Sequence, residues 1–278
     1  MSFKAVAWTL LAAMAFAAVL LFNYWVPYQL LSLLAYAGIV LALCGLANLV
    51  LPFRFLGVRK RVVGALLLAG GVVLVLVGLF WPDRMIRVAQ HQSRLDDIMP
   101  EYSGSERHSA HIHARPAQVM LGVRQSTFGD MKSLVTLLRV RAAVLRIPYH
   151  DTGDLQDKRM VDSFRASGYL LDESEHEIVM FRVGNLRAAR PPEVRTLQEF
   201  RDYREPGAVK MAFDFNVEDA GGGWSTLTTE TRVVGLDNLS SGPGTRYWRL
   251  ILPGSGLLRR EWLDGIKTRA ESIPIPPS

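Results

Sequence analysis

The sequence has a single cysteine, Cys44, so no intrachain disulfide can form and its redox compartment is left open. It has no Asp, Glu, Lys or Arg from Ala5 to Phe53, and none from Val62 to Trp81. It also lacks a Walker loop, a Gly-x-Ser-x-Gly elbow, a His-Glu-x-x-His helix and a Cys-x-x-Cys pair. These absences remove the motif-bearing nucleotide hydrolases, serine hydrolases, zinc peptidases and dithiol oxidoreductases from consideration.

An excess of charge is also lacking where a nucleic-acid binder would need it. The net charge is +6, but residues 1–82 hold Lys4, Arg54, Arg59, Lys60 and Arg61 and no acid. The rest of the chain carries 27 basic against 26 acidic residues, so no nucleic-acid partner is expected.

What is present is apolar length. A bilayer core takes about 20 apolar residues per helix, so the first uncharged run must turn. The turn falls at Asn23-Tyr24-Trp25-Val26-Pro27-Tyr28, where Asn and Pro break the pattern and the aromatics suit a headgroup layer. Three spans are expected: Ala5–Phe22, Leu30–Phe53 and Val62–Trp81. Ala15-Phe16-Ala17 resembles a signal-peptide cleavage box, but Val19–Phe22 carries the apolar run past it. Small residues at Gly38, Ala42 and Gly45, and at Gly64, Gly70, Gly71 and Gly78, suit close helix packing within the anchor or a homo-oligomer seam.

The basic loop between the second and third spans lies on the same side as Lys4. The positive-inside rule places both in the cytoplasm and the rest of the chain on the opposite face of what reads as a bacterial inner membrane. Arg84, Arg87 and Arg94 argue the other way.

After an amphipathic connecting segment at 83–99, residues 100–272 read as one α+β domain, with a flexible tail at 273–278. A strand runs from His108, and Arg115-Pro116 opens a helix. Asp130 is expected to cap a second helix through Leu138. The segments Gly168–Asp172 and Glu177–Gly184 form a hairpin about Glu173–His176. Alternation marks strands at Ala208–Val217 and Trp224–Val234, joined by Gly221-Gly222-Gly223, and a last strand is expected at Arg246–Leu252. Ser255 then caps a final helix with an apolar stripe at Leu258, Trp262, Ile266 and Ala270.

Three stretches carry a resemblance. The residues MPEYSGSERHSAHIHARPAQV (99–119) include Glu106, His108, Ala114, Pro116 and Val119. TLTTETRVVGLD (226–237) and YWRLILPGSGLLRREWLDGIKTRAE (247–271) follow. Together they resemble the SRPBCC superfamily, also called START-like or helix-grip, which includes polyketide cyclase-like proteins. The resemblance covers about residues 100–272, leaves out the membrane spans, and departs from the family pattern between Ala142 and Arg165. It implies a curved antiparallel sheet of six or seven strands around a long C-terminal helix, with a hollow for a ligand. It implies no shared catalytic set.

The expected function is binding of a hydrophobic or lipid-like molecule at the membrane, without a cofactor or metal. Tyr169, Phe181, Met211, Phe213, Phe215 and Trp262 are the expected apolar lining, with Glu230, Arg232 and Tyr247 as polar anchors. Glu230 and Arg232 either face the ligand or form an outward ion pair, the outward placement being favoured, and Asp214 is expected outward. His111 and His113 share a strand face but lack a third ligand, so they read as a solvated face rather than a zinc site. Two alternatives remain: a cyclase- or dehydratase-type enzyme, marked by an inward carboxylate or His with a shifted pKa, and an interaction module with a filled interior.

Overall fold

The computed structural model describes residues 29–50, 61–146, 156–185 and 191–273. It divides into two units, Met1–Pro82 with Arg246–Pro253, and Asp83–Thr245 with Gly254–Ser278. The expected span at Ala5–Phe22, the turn after it and the tail beyond Ile273 lie outside the described residues.

In the first unit, helices α1 (Leu30–Val50) and α2 (Arg61–Phe80) are each long and apolar enough to cross a membrane. They meet along the small residues singled out in the sequence. A Cβ placed on Gly45 would fall 2.4 Å from the Leu68 nitrogen, and one on Gly71 would fall 2.4 Å from the Ala42 nitrogen. Only hydrogen fits at these points, so the two backbones touch directly. Gly70, one residue along, has nothing within 4 Å of such a Cβ among the described residues. Elsewhere the helices expose Val40, Leu43, Leu46, Val62, Leu66 and Val73. The segment Arg246–Pro253 completes this unit. Arg249 donates to the carbonyls of Gly78 (3.1 Å), Leu79 (3.2 Å) and Trp81 (2.8 Å), capping the C-terminal end of α2. The Arg246 guanidinium lies 4.8 Å from the Phe80 ring centre, and the Tyr36 hydroxyl donates to the Leu250 carbonyl.

The second unit is mixed α+β. In chain order its described residues form β1 (Ile86–Arg87), α3 (Arg94–Ile98), β2 (Glu101–Tyr102), β3 (Gly104–Ile112), α4 (Pro116–Gln125), a 3-10 turn (Phe128–Asp130), α5 (Leu134–Leu145), α6 (Met160–Ala166), β4 (Leu170–Glu173), β5 (Glu177–Asn185), α7 (Leu197–Asp202), β6 (Ala208–Gly221) and β7 (Trp224–Gly235). The long helix α8 (Asn238–Ser272) follows. Strands β3-β7-β6-β5-β4 form one five-stranded antiparallel sheet, and β1 and β2 pair separately. The β6–β7 turn needs positive φ at Gly222 (61°) and Gly223 (81°), which glycine adopts without a Cβ clash.

Both faces of the sheet are covered, which the alternating strands did not announce. The inner face carries Ile178, Met180, Phe213, Phe215 and Leu227 against Val119, Met120 and Val123 of α4 and Trp262, Leu263, Ile266 and Ala270 of α8. The outer face carries Val179, Phe181, Val183 and Ala212, closed over by Leu95, Ile98 and Met99 and by Phe200 of α7. The stretch expected to be a connector at 83–99 thus supplies three buried core residues.

Several expected elements are corrected. Arg246–Leu252 is helical, because α8 starts earlier, where Asp237 accepts the Ser240 N–H at 2.8 Å, and runs unbroken past Ser255. Trp248, Arg249 and Leu252 are its buried positions, a helical rather than a two-residue period. Among the described residues the main sheet therefore has five strands, where six or seven were expected. Asp130 caps the 3-10 turn by accepting the Thr127 N–H at 2.8 Å, and α5 begins after Ser133, whose N–H and hydroxyl go to Glu261 (2.9 and 2.7 Å). Helix α6 had no counterpart in the sequence reading.

Candidate binding layer on the inner face of the sheet

Antiparallel register arranges the inner face in cross-strand rows. One row runs Leu171, Met180, Phe213, Thr231 and Glu106; the next runs Arg182, Met211, Val233 and Gly104. His108 lies opposite Thr229, and Ile178 opposite Phe215. Helix α8 lays Arg259 and Trp262 over these rows. Trp262 stands 4.5 Å from Phe215 and 6.2 Å from Phe213, ring centre to ring centre, and its indole N–H donates to Ser126 Oγ at 2.8 Å.

Of the nine expected site residues, Tyr169, Met211, Phe213, Phe215 and Trp262 come together here. Tyr169 lies at the edge of this apolar cluster, 6.0 Å from Phe213, and its hydroxyl donates to Met211 Sδ at 3.5 Å. Burial raises the Tyr169 phenol above its ordinary value, against the pull of the nearby Arg182 and Arg259 charges.

The other four do not join them. Phe181 points to the outer face and stacks edge-on with Phe200 at 4.9 Å; in Ile178–Val183 both alternating sets are apolar, so composition does not show which faces in. Glu230 and Arg232 also face outward, as favoured, but Arg232 is buried and Glu230 half-buried rather than solvated. Arg232 bonds Glu230 at 2.6 Å along its own strand, Asp96 at 2.7 Å and the Met99 carbonyl at 3.1 Å, and lies 4.6 Å from the Tyr102 ring. Tyr247 sits on the part of α8 that belongs to the first unit.

Asp214 likewise faces outward and is only 3% exposed. Burial, with the Glu177 and Glu230 charges, pushes its carboxyl up to about 8, against the Glu230 N–H and Arg232. Glu177 beside it accepts the N–H groups of Arg94 (2.8 Å) and Leu95 (3.0 Å) at the start of α3; burial still raises its pKa.

Three inner-face groups went unassigned in the sequence. Glu106 and His108 alternate toward α8 and bond each other at 3.0 Å, each side chain about 5% exposed, and Glu106 Oε2 has no hydrogen-bond partner. Gly256 makes room for them: a Cβ there would fall 2.7 Å from Glu106 Oε1. Arg259 is the third. It donates to Thr229 Oγ1 at 3.2 Å and Thr231 Oγ1 at 2.8 Å, and its Cζ lies 4.4 Å from the Phe213 ring and 5.3 Å from the Trp262 ring. Burial lowers its pKa. The signal was a basic residue three positions before Trp262, hence on nearly the same helix face.

Two depressions open near this layer. One, of about 300 Å³, is lined by Phe128, Met131, Lys132, Leu134 and Val135, of which Phe128, Met131 and Leu134 pack against the inner apolar cluster. The other, of about 270 Å³, is lined by Gly168, Arg182, Pro191, Pro192 and Val194, among others. Among the described residues no three His, Cys, Asp or Glu side chains gather as metal ligands. His111 contacts Thr226 at 3.3 Å, and the His113 ring lies 4.7 Å from that of Trp224. No protein-family model matches the chain, and no curated protein matches it.

Proposed function

We propose that this chain is a membrane-anchored helix-grip domain of the SRPBCC kind, which holds a hydrophobic, lipid-like molecule against the inner face of its sheet. The observation that carries this reading is the shared apolar layer of Tyr169, Phe213, Phe215 and Trp262, with Met211 against the Tyr169 hydroxyl, continuous with the depression at Phe128, Met131 and Leu134. A volume of about 300 Å³ is at the small end for ligand sites, which suits a short or partly inserted molecule. Anchoring is supported by α1 and α2, whose apolar side chains are mostly exposed, unlike those of a soluble core helix. By the charge rule the domain lies on the non-cytoplasmic face, and protease protection in sealed vesicles tests this.

Native mass spectrometry of the detergent-extracted protein tests the binding reading. A reproducible lipid-sized adduct is expected, and Leu134→Trp, which fills the depression, should remove it. Repeated absence of any adduct from gently extracted protein would overturn the proposal.

One observation favours the interaction-module reading instead. Phe215 is fully buried and Phe213 and Trp262 are each 3% exposed, so the middle of the layer is already filled by side chains. The enzyme reading has inward groups in Glu106 and His108, but the strongly shifted carboxyl, Asp214, lies on the other face.

A further inference from the structure

We infer that the molecule held in the inner layer is an amphiphile with an anionic head, carboxylate or phosphate, and that Arg259 is the residue that holds the head. This rests on the binding reading above. The argument is one of unmet demand. A guanidinium offers five N–H donors in a fork that matches a planar oxyanion. Arg259 uses it on two neutral hydroxyls, Thr229 and Thr231, and on the faces of Phe213 and Trp262. Among the described residues no carboxylate lies within ion-pairing distance of it.

The acid whose charge acts most strongly on Arg259 is Glu106, but Glu106 spends one oxygen on His108 and leaves the other without a partner. The outer face shows the contrast: there Arg232 has both Asp96 and Glu230 in direct contact. A second cation stands at the same edge. Arg182 lies 4.9 Å from the Tyr169 ring, has no carboxylate in ion-pairing range among the described residues, and lines the 270 Å³ depression that brings solvent to this edge. Two arginines flanking Tyr169 and Phe213, one of them inside the layer, suit a single oxyanion at the end of an apolar chain.

The test uses the full chain in non-ionic detergent, titrated with hexadecanoate, hexadecyl phosphate and hexadecanol and read by tryptophan fluorescence. At least one of the two anions should bind tenfold or more tightly than the alcohol, and which of them binds better identifies the head. Arg259→Gln should bring anion affinity to within about twofold of that variant's own affinity for the alcohol. Arg259→Lys, which keeps the charge, should retain part of the preference, and Arg182→Gln should weaken it; both remain informative if Arg259→Gln does not fold. Equal binding of anions and alcohol would overturn the anionic head and leave the hydrophobic-ligand reading standing. Failure of all three ligands to bind would overturn both. An undiminished preference in Arg259→Gln would remove Arg259 from the role.

Discussion

Asp214 sits directly behind Glu230 across two neighbouring strands, its Oδ1 accepting the Glu230 backbone N–H at 2.6 Å. A carboxyl so buried prefers its proton. Because its folded pKa is raised to about 8, its stabilising contribution is complete below the ordinary carboxylate range and is lost as pH rises through about 8. Asp214→Asn keeps the acceptor and removes the titration. The variant should melt higher than the parent at pH 9, with a smaller difference at pH 5. Thermal unfolding followed by circular dichroism across that range checks it.

The neighbouring ion pair has the opposite pH sense. Burial works to raise the Asp96 carboxyl, but the Gln92 N–H, Arg232 and Ser93 together hold it below its ordinary value. Its contribution is therefore present above the ordinary carboxylate range and lost as pH falls through the lowered folded pKa. Arg232→Leu removes the common partner of Asp96 and Glu230 and leaves two carboxylates in a covered site. A loss of about 3–5 kcal/mol is expected, measured by denaturant or thermal unfolding, and added salt should restore little of it.

Trp262 ties α8 to the inner face through Phe215 and the Ser126 hydroxyl. Trp262→Ala should cost about 3–5 kcal/mol. Trp262→Phe keeps most of the apolar contact and should cost distinctly less. Equal effects from the two substitutions would show that the hydrogen bond to Ser126, rather than ring burial, dominates.

Two adjacent glycines offer an internal control in α2. A side chain on Gly71 meets the Ala42 backbone, whereas one on Gly70 meets nothing within 4 Å among the described residues. Gly71→Val should separate α1 from α2 and lower the detergent melting temperature by several degrees. Gly70→Val should leave it unchanged.

The parts legible in the sequence were those with a strong local period. Val209 to Val217, the Glu177–Gly184 strand and its hairpin, the Pro116 helix start and the stripe from Leu258 to Ala270 all read correctly because local spacing sets them. Arg246–Leu252 misled because Tyr247, Trp248 and Ile251 favour strands, while the deciding contacts, Arg249 with the end of α2, come from residues more than 160 positions away. The outer face misled for the same reason. Nothing near Asp214 or Glu230 in the chain announces that Leu95, Ile98 and Met99 will cover them. Tyr169, Phe213, Phe215 and Trp262 share the inner cluster, as aromatic composition suggests, whereas a lone cation on a helix such as Arg259 usually reads as solvated.

Helix α8 also sets an order of events during synthesis. The carbonyls of Gly78, Leu79 and Trp81 emerge from the ribosome long before Arg249 exists to cap them. The glycine-lined hairpin must therefore persist with an open end while the whole sheet is being made. Chains truncated before Arg246 should accordingly show a loosened α2 terminus.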